Sequence, residues 1–241
     1  MPAMKEPLQS AENMLLAALS RRERDRLLPH LEPVTLPLDD ILYEPDTIIR
    51  HVYFPTSGMI SLLVILENGL VTQVGRVGNE GMVGLPVFLG VPTSHTRAFV
   101  ELPGEALRMK AEVFRQELRR AGALSGLLLR YTQALLRHSQ RLIACNTWHT
   151  VEQRLCRWLL VAHDRVMADQ FQVTQEFLSQ MLGTHRQSVT VAARNLQREG
   201  LIRYSRGKLQ ILDVSALEAA ACPCALAIRR GFDQLYTETK H

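Results

Sequence analysis

The chain has 241 residues and a formal net charge of +4, with 46% hydrophobic and 22% charged residues. This length and composition indicate a globular protein with one large or two ordinary domains. The longest apolar runs, such as Ile60–Leu66, are too short to cross a bilayer, so we expect no membrane partner. Charges also interrupt the N-terminal segment, where a signal peptide needs an apolar core, so we expect a cytoplasmic protein.

The N-terminal half of the chain predicts short helices followed by β-structure. Residues 10–31 have helical character, and Ser20 and Glu23 have the spacing of a capping box. Short apolar runs separated by turn residues then predict strands at Val52–Phe54, Met59–Leu66, Leu70–Val77 and Arg97–Leu102. The Asn68-Gly69 pair between two of these runs is typical of a tight hairpin. Many short strands with regular turns indicate a barrel, a sandwich or a jelly roll.

A long helix is predicted after the β-region, over residues 123–146. Its apolar positions alternate spacings of four and three, as in a coiled-coil seam, and they are Leu124, Leu128, Tyr131, Leu135, His138, Leu142 and Cys145. We therefore expect this helix to join two chains in a homodimer, with His138 setting the register or making a pH- or ligand-sensitive contact. The alternative is a helix that packs only on its own domain, since Leu127, Leu129 and Leu136 broaden the apolar face.

A helix-turn-helix is predicted between residues 174 and 199. Thr174 is placed to cap a first helix, and Gly183 supplies a turn residue that tolerates positive φ. Thr184 has capping-box spacing to a glutamine and predicts the start of a second helix. Ser179 and Val189 lie at the offsets from the glycine where a helix-turn-helix needs a small and an apolar residue.

A β-hairpin is predicted directly after the second helix, because the apolar pattern changes to period two in Leu201–Tyr204 and Leu209–Asp213. Such a hairpin forms the wing of a winged helix. The segment Thr184–Lys208 also contains six basic residues and one acidic residue, a local charge that favours a polyanionic partner. We therefore predict that the winged helix binds double-stranded DNA. The alternatives are a solvated basic face and a winged helix used only for protein contacts.

The predicted DNA contacts lie on the outward side of the second helix and at the tip of the wing. The first turn of that helix would enter the major groove, where arginine pairs with guanine and glutamine with adenine. Basic residues at the wing tip suit phosphates, which position the protein without specifying sequence. The predicted DNA-binding residues are Thr174, Gln175, Thr184, His185, Arg186, Gln187, Ser188, Thr190, Arg194, Arg206 and Lys208.

From about Leu36 to about Ala221 the chain resembles the Crp/Fnr family of bacterial regulators. The resemblance is strongest over Val151–Asp213, which contains the segments VEQRLCRWLL, VTQEFLSQMLG and HRQSVTVAARNLQREGLI in the family's order. It implies an α+β fold and a transcription regulator, with RNA polymerase as a candidate partner. The implied parts are a jelly-roll sensor domain of the cyclic-nucleotide-binding type over 1–122, the dimerisation helix over 123–146, a winged helix-turn-helix over 147–221 and a C-terminal tail over 222–241. A homodimer with one recognition helix per chain would bind a palindromic operator.

The resemblance also places the family's base-reading positions on Arg186, Gln187 and Val191. Only the arginine matches the residue that cyclic-AMP responders have at these positions. We therefore expect an operator different from the cyclic-AMP consensus.

In the sensor domain the resemblance implies a ligand pocket at Gly84, Leu85, Thr96 and Arg97. The family's Gly-Glu becomes Gly84-Leu85 here, and a leucine offers the ribose no hydrogen bond. The family's phosphate-binding arginine is displaced by one place to Arg97, which in a strand is the opposite face. We expect an unknown small-molecule effector rather than cyclic AMP. The alternative function is a cyclic-nucleotide or other small-ligand sensor whose β-domain acts mainly as a protein-interaction module.

Other chemistries have little support in the sequence. The four cysteines, Cys145, Cys156, Cys222 and Cys224, lack the spacing of a disulfide framework, an N-terminal iron–sulfur site or a zinc site. We therefore predict no metal and no cofactor, and interpret Cys222-Pro223-Cys224 as part of a plain tail, with a redox or metal role as the alternative. No nucleophile has a plausible base nearby and no histidine cluster is present, so we predict no catalytic residue and no enzyme.

Overall fold

The computed structural model describes residues 12–120, 122–166 and 169–237. The N-terminal part contains helices α1 (Met14–Ala17) and α2 (Arg21–Leu27), a 3-10 turn (Leu28–His30), strands β1 (Glu32–Leu36), β2 (Ile41–Tyr43), β3 (His51–Pro55), β4 (Met59–Ile65) and β5 (Val71–Val77), helix α3 (Leu85–Phe88), strands β6 (Arg97–Leu102) and β7 (Gly104–Lys110), and helix α4 (Ala111–Leu118). The C-terminal part contains helices α5 (Ala123–Trp148) and α6 (Val151–Val166), strand β8 (Gln170–Gln172), helices α7 (Gln175–Leu182) and α8 (Arg186–Arg198), strands β9 (Ile202–Ser205) and β10 (Lys208–Ile211), and helices α9 (Val214–Ala220) and α10 (Cys224–Thr237).

The N-terminal domain is an antiparallel β-sandwich, as the predicted jelly-roll class requires. One sheet has the order β1-β7-β3 and the other the order β2-β6-β4-β5. Phe54, Ile60 and Val100 from both sheets are fully buried in the core between them. The hairpin predicted at Asn68-Gly69 is confirmed, since it joins β4 to β5 and Gly69 adopts a φ of 81°.

Glu23 connects the N-terminal helices to the start of the long helix. Ser20 caps α2 as predicted, because its hydroxyl accepts from the Glu23 amide. The Glu23 carboxylate accepts from the backbone N–H groups of Ala123 at 2.6 Å and Leu124 at 3.4 Å, the first residues of α5. Burial alone would raise the pKa of Glu23, but hydrogen bonds from Ser20 and these amides outweigh it and lower the pKa. A carboxylate at this end also complements the dipole of α5.

The structure corrects the predicted dimer seam on α5. Six of the seven proposed seam residues are buried within the chain itself, and Leu135 is half-buried. The six are Leu124, Leu128, Tyr131, His138, Leu142 and Cys145. The core of the β-domain contains three of these residues, Leu124, Leu128 and Tyr131, together with Leu127 and Ala134 of the same helix. This face of α5 therefore packs on its own chain, as the alternative interpretation of the sequence required, and is not free to face a second copy.

The predicted C-terminal tail is also corrected, because helix α10 lies where the sequence indicated no structure. The Phe232 ring packs against Tyr131, with centroids 6.2 Å apart, and against His138 at 6.0 Å. The Tyr236 hydroxyl donates to the Glu80 carbonyl at 2.5 Å. Helix α10 therefore covers one side of α5. Residues 1–11 and 238–241 of the predicted first and last segments lie outside the described residues.

A second core joins the β-domain to the C-terminal domain. Met59 and Leu102 from the β-sandwich share one buried cluster with Leu155 and Trp158 of α6. The two parts of the chain are thus packed together over an apolar surface, and a change in one part can reach the other through direct contact. Over the described residues, no helix combines the length and apolarity that crossing a membrane requires.

Candidate functional site

Helices α7 and α8 form the predicted helix-turn-helix. The Thr174 hydroxyl accepts from the Phe177 amide at 3.0 Å and caps α7, which confirms the first cap. Gly183 takes the left-handed conformation with φ 57° and ψ 51°, which glycine adopts without steric clash because it has no Cβ. The second helix begins at Arg186 with His185 as its N-cap, so the start predicted at Thr184 is corrected. Thr184 instead extends the turn, and its amide donates to the Ser179 carbonyl at 3.0 Å.

The inner face of α8 is apolar and its outer face is polar. Val189, Ala192 and Leu196 are buried against the rest of the domain. The outer side chains that the sequence analysis assigned to DNA are exposed at His185, Arg186, Gln187 and Arg194, and partly exposed at Thr184, Ser188 and Thr190. Val191 is 53% exposed on the same side, where an apolar side chain can contact a thymine methyl group.

The wing is a hairpin of β9 and β10 whose turn brings two cations to its tip. Arg206 and Gly207 have φ values of 50° and 78°, the two successive positive values that a tight type I′ hairpin uses. Arg206 and Lys208 are exposed. The Tyr204 hydroxyl donates to the Val173 carbonyl at 2.9 Å, and the Tyr204 amide donates to Gln197 Oε1 at 2.8 Å. The wing is therefore fixed both to the entry of α7 and to the end of α8.

Two predicted DNA-binding residues make a contact inside the chain. The Thr190 hydroxyl donates to Gln175 Oε1 at 2.8 Å and so links α8 to the first residue of α7. This hydrogen bond between Thr190 and Gln175 helps to fix the angle between α7 and α8. Thr174, at the N-terminus of α7, is exposed.

The predicted ligand pocket is a small cavity in the β-domain. Gly84, Leu85 and Thr96 line a space of about 150 Å³ together with Tyr43 and Leu135. Arg97 does not line it, because its guanidinium Nε binds the Glu44 carboxylate at 2.8 Å. The predicted pocket is therefore corrected at Arg97, which the one-place shift in the strand turns away from the cavity.

The polar wall of this cavity consists of hydroxyl groups. Ser94 Oγ and Thr96 Oγ1 lie 2.9 Å apart, and both interact with the Tyr43 hydroxyl. Burial raises the pKa of Tyr43 to about 12, so its hydroxyl remains a neutral donor at physiological pH. A pocket with this lining offers neutral hydrogen bonds and no positive charge to a ligand.

Sequence reasoning missed the contacts between the β-domain, or sensor, and the winged helix-turn-helix domain, or reading head. Trp158 Nε1 donates to Glu101 Oε1 at 2.7 Å, and Glu101 is itself buried with Arg76 at 3.9 Å. Arg165 of α6 donates to Asn79 at 2.7 Å and to Glu80 at 2.8 Å. The turn at residues 78–81 therefore contacts the C-terminal domain directly. Partners 57 or more residues apart leave no local signal in a sequence.

A β-sandwich joined by a long helix to a winged helix-turn-helix defines a class of transcription regulators. Two family models match the chain in this order: the cyclic nucleotide-binding domain over residues 33–121 and the Crp-like helix-turn-helix domain over residues 153–220. Together they cover more than half of the chain. The protein therefore belongs to the Crp/Fnr family of transcriptional regulators, and it is a regulator and not an enzyme.

Solved structures share this fold. A Crp/Fnr-family regulator from Eubacterium rectale is 21% identical with a TM-score of 0.70, covering 87% of this chain and 99% of its own. A CRP-family regulator from Thermus thermophilus is 18% identical with a TM-score of 0.65, covering 78% and 96%. The c-di-GMP responsive global regulator CLP from Xanthomonas campestris is 18% identical with a TM-score of 0.63, covering 80% and 100%. At these identities the likeness shows the fold alone. No sequence among the curated proteins matches significantly.

Proposed function

We propose that this Crp/Fnr regulator binds a palindromic operator as a homodimer, with α8 in the major groove and the wing on the flanking phosphates. The observation that carries the proposal is the exposed first turn of α8 beside the exposed cations of the wing tip. Arg186, Gln187 and Val191 would contact base edges, where their side chains offer a bidentate donor, an amide and an apolar surface. Arg206 and Lys208 would bind phosphates.

The homodimer would form through the outward face of α5 and not through the face first predicted. Leu129, Leu136 and Ile143 are 61%, 51% and 68% exposed, and they follow one another at intervals of seven residues. Such an interval keeps apolar side chains on one side of a helix that pairs with a second helix. The helix ends at the start of the winged-helix domain, so pairing along it would set the distance between two recognition helices.

The effector would be a small molecule other than cyclic AMP. The cavity of about 150 Å³ is below the ~300–1,000 Å³ of usual ligand sites. It has Leu85 where a ribose-binding carboxylate is needed, and its wall carries hydroxyl groups instead of an arginine. The fold does not fix the effector, since the related Xanthomonas regulator is described as c-di-GMP responsive. Isothermal titration calorimetry should detect no micromolar binding of cyclic AMP, and such binding would overturn this part of the proposal.

RNA polymerase is a further proposed partner, and the cytoplasm is the proposed location, because a regulator bound to an operator acts where transcription takes place.

The operator itself can be found by selecting bound duplexes from a random pool with the full chain. We expect enrichment of one motif with dyad symmetry. Enrichment of a motif without symmetry, or of none, would contradict the proposed function.

A further inference from the structure

Four potential metal ligands from distant parts of the chain meet where the long helix ends. The sulfur atoms of Cys145, Cys222 and Cys224 and a ring nitrogen of His149 all lie within 4.8 Å of one another. Cys145 Sγ is 3.6 Å from Cys222 Sγ, and Cys224 Sγ is 3.6 Å from His149 Nδ1. We call these four residues the Cys3His cluster.

Two of the separations match those of a tetrahedral metal site, and the others lie within 4.8 Å. Zinc–sulfur bonds of about 2.3 Å and zinc–nitrogen bonds of about 2.0 Å place ligand atoms about 3.5–3.8 Å apart at tetrahedral angles. Both measured contacts have this length. A disulfide needs sulfur atoms about 2.05 Å apart and would use only two of the four groups.

The local structure holds the ligands from two sides. Cys145 and His149 are four residues apart at the end of α5, so they lie on the same side of that helix. Cys222 and Cys224 flank Pro223 in the connection from α9 to α10. The Cys222 amide donates to the Gln153 carbonyl of α6 at 3.3 Å, which fixes this connection independently of the sulfur atoms.

The cysteines of the cluster are separate from both apolar cores, and His149 is partly exposed. The three cysteines are 0%, 3% and 1% exposed and form a buried group of their own. Thiolate, and not thiol, is the form of cysteine that binds metals. Cys156, the remaining cysteine, lies in the second core and takes no part.

We propose that the Cys3His cluster binds one zinc ion and thereby fastens α10 to the junction between α5 and α6. Three sulfur ligands and one imidazole form a closed set of the kind found in structural zinc sites, with no position left for a catalytic water. The ion would replace the protons of the thiols, and no oxidant or reductant is involved. Its position would stiffen the connection between the long helix and the reading head.

The direct test is the metal content of the full chain, purified anaerobically without chelators or metal-affinity steps. Mass spectrometry of the metals should find about one zinc ion per chain. Replacing the zinc with cobalt(II) should give the intense d–d bands of a tetrahedral ion and sulfur-to-cobalt charge transfer. Chelation should lower the melting temperature and increase hydrogen exchange in α10.

Matched variants separate this site from the other thiol. Cys224→Ser should lose most of the zinc and the cobalt bands, whereas Cys156→Ala should retain both. Equal zinc in the two variants would overturn the assignment, as would folded wild-type chain that takes up no zinc on dialysis. Iron with acid-labile sulfide, or a Cys145–Cys222 disulfide in the anaerobically purified chain, would also overturn it. The wild-type measurement stands even where a variant fails to fold.

Discussion

Arg186 and Arg206 carry the same charge and are both exposed, yet they occupy different parts of the reading head. Arg186 is the first residue of α8, and the proposed docking would bring its side chain to base edges in the major groove. Arg206 lies at the tip of the wing, which the proposed docking would place against phosphate groups. Removing each charge should therefore have a different consequence for DNA binding.

Arg186→Ala should weaken operator binding by roughly 1–3 kcal/mol and relax the preference at one base position. Arg206→Ala should weaken binding to all sequences alike and reduce the slope of log affinity against log salt. Arg115→Ala, an exposed arginine on α4, serves as the control and should change neither. Titration of selected and scrambled duplexes at several salt concentrations measures both effects. Unchanged selectivity in Arg186→Ala would place this residue outside the groove.

His138 is a buried base whose ring nitrogen Nδ1 has no hydrogen-bond partner among the described residues. Burial, with the positive charges of Arg76 and Arg157, lowers the pKa of His138 to about 3 from 6.5. The unfolded chain therefore binds one more proton than the folded chain between these values. Since protons then favour the unfolded state, this residue makes the free energy of unfolding decrease as pH falls from about 6.5 toward 3.

His138→Leu should remove that pH dependence. Relative to the wild type, the variant should gain up to about 1.4 kcal/mol of unfolding free energy per pH unit lowered below 6.5. Denaturant titrations between pH 6.5 and 4.5 measure the difference. His30→Leu is the control, because water solvates this exposed ring in both states. Parallel pH profiles for wild type and His138→Leu would show that the folded ring accepts a proton.

Helix α5 shows which structure a sequence can and cannot predict. Its extent was clear from the length of the apolar pattern, but it carries two apolar stripes, and the spacing alone does not say which one faces a partner. The broader stripe, which includes Leu128 and Tyr131, is used for the chain's own core. The narrower stripe, with Leu129 and Leu136, stays outside because the β-domain and α10 already cover the other side.

Most local signals were predicted correctly, apart from the start of α8 at Thr184, whereas non-local contacts were not. Gly69, Thr174 and Gly183 act within a few residues of themselves, so their turns and caps could be read directly. Helix α10 was missed although Ile228, Phe232 and Leu235 have helical spacing and Pro223, directly before its first residue, is typical of a helix start. The Cys3His cluster joins residues 77 positions apart, and only the fold brings them together.

Leu136→Glu should convert the homodimer to monomers, because the substitution puts a charge in the middle of the proposed helix pair. Leu66→Glu is a matched control, since both leucines are 51% exposed and Leu66 lies on the β4–β5 hairpin. Sedimentation velocity should show a dimer for wild type and control and a monomer for Leu136→Glu. A monomeric wild type, or a dimeric Leu136→Glu, would argue against this interface.

At the scale of the whole molecule, Glu101 connects the sensor to the reading head. Its carboxylate accepts a hydrogen bond from Trp158 of α6 and lies beside the buried guanidinium of Arg76. Burial lowers the pKa of Arg76 to about 10, and the negative charge of Glu101 acts in the opposite direction. The guanidinium therefore stays charged at neutral pH and depends on this carboxylate. The two domains should consequently lose their stability together when the pair is broken.

Glu101→Ala should lower the free energy of unfolding by about 3–5 kcal/mol, because it leaves a buried charge without its partner. Glu105→Ala, on an exposed position of β7, should change it by less than about 0.5 kcal/mol. Chemical denaturation followed by tryptophan fluorescence measures both. A loss as small in Glu101→Ala as in the control would mean that water reaches Arg76 and solvates it.

The central claim is that α5 holds two reading heads at a fixed distance. Its most direct test is the affinity of the full chain for duplexes in which two selected half-sites are moved apart in steps of one base pair. Affinity should peak when the half-site centres lie about one helical turn, ~10 bp, apart, and fall to that of a single half-site when about half a turn is inserted. Equal affinity at every spacing, or for one half-site alone, would contradict the account.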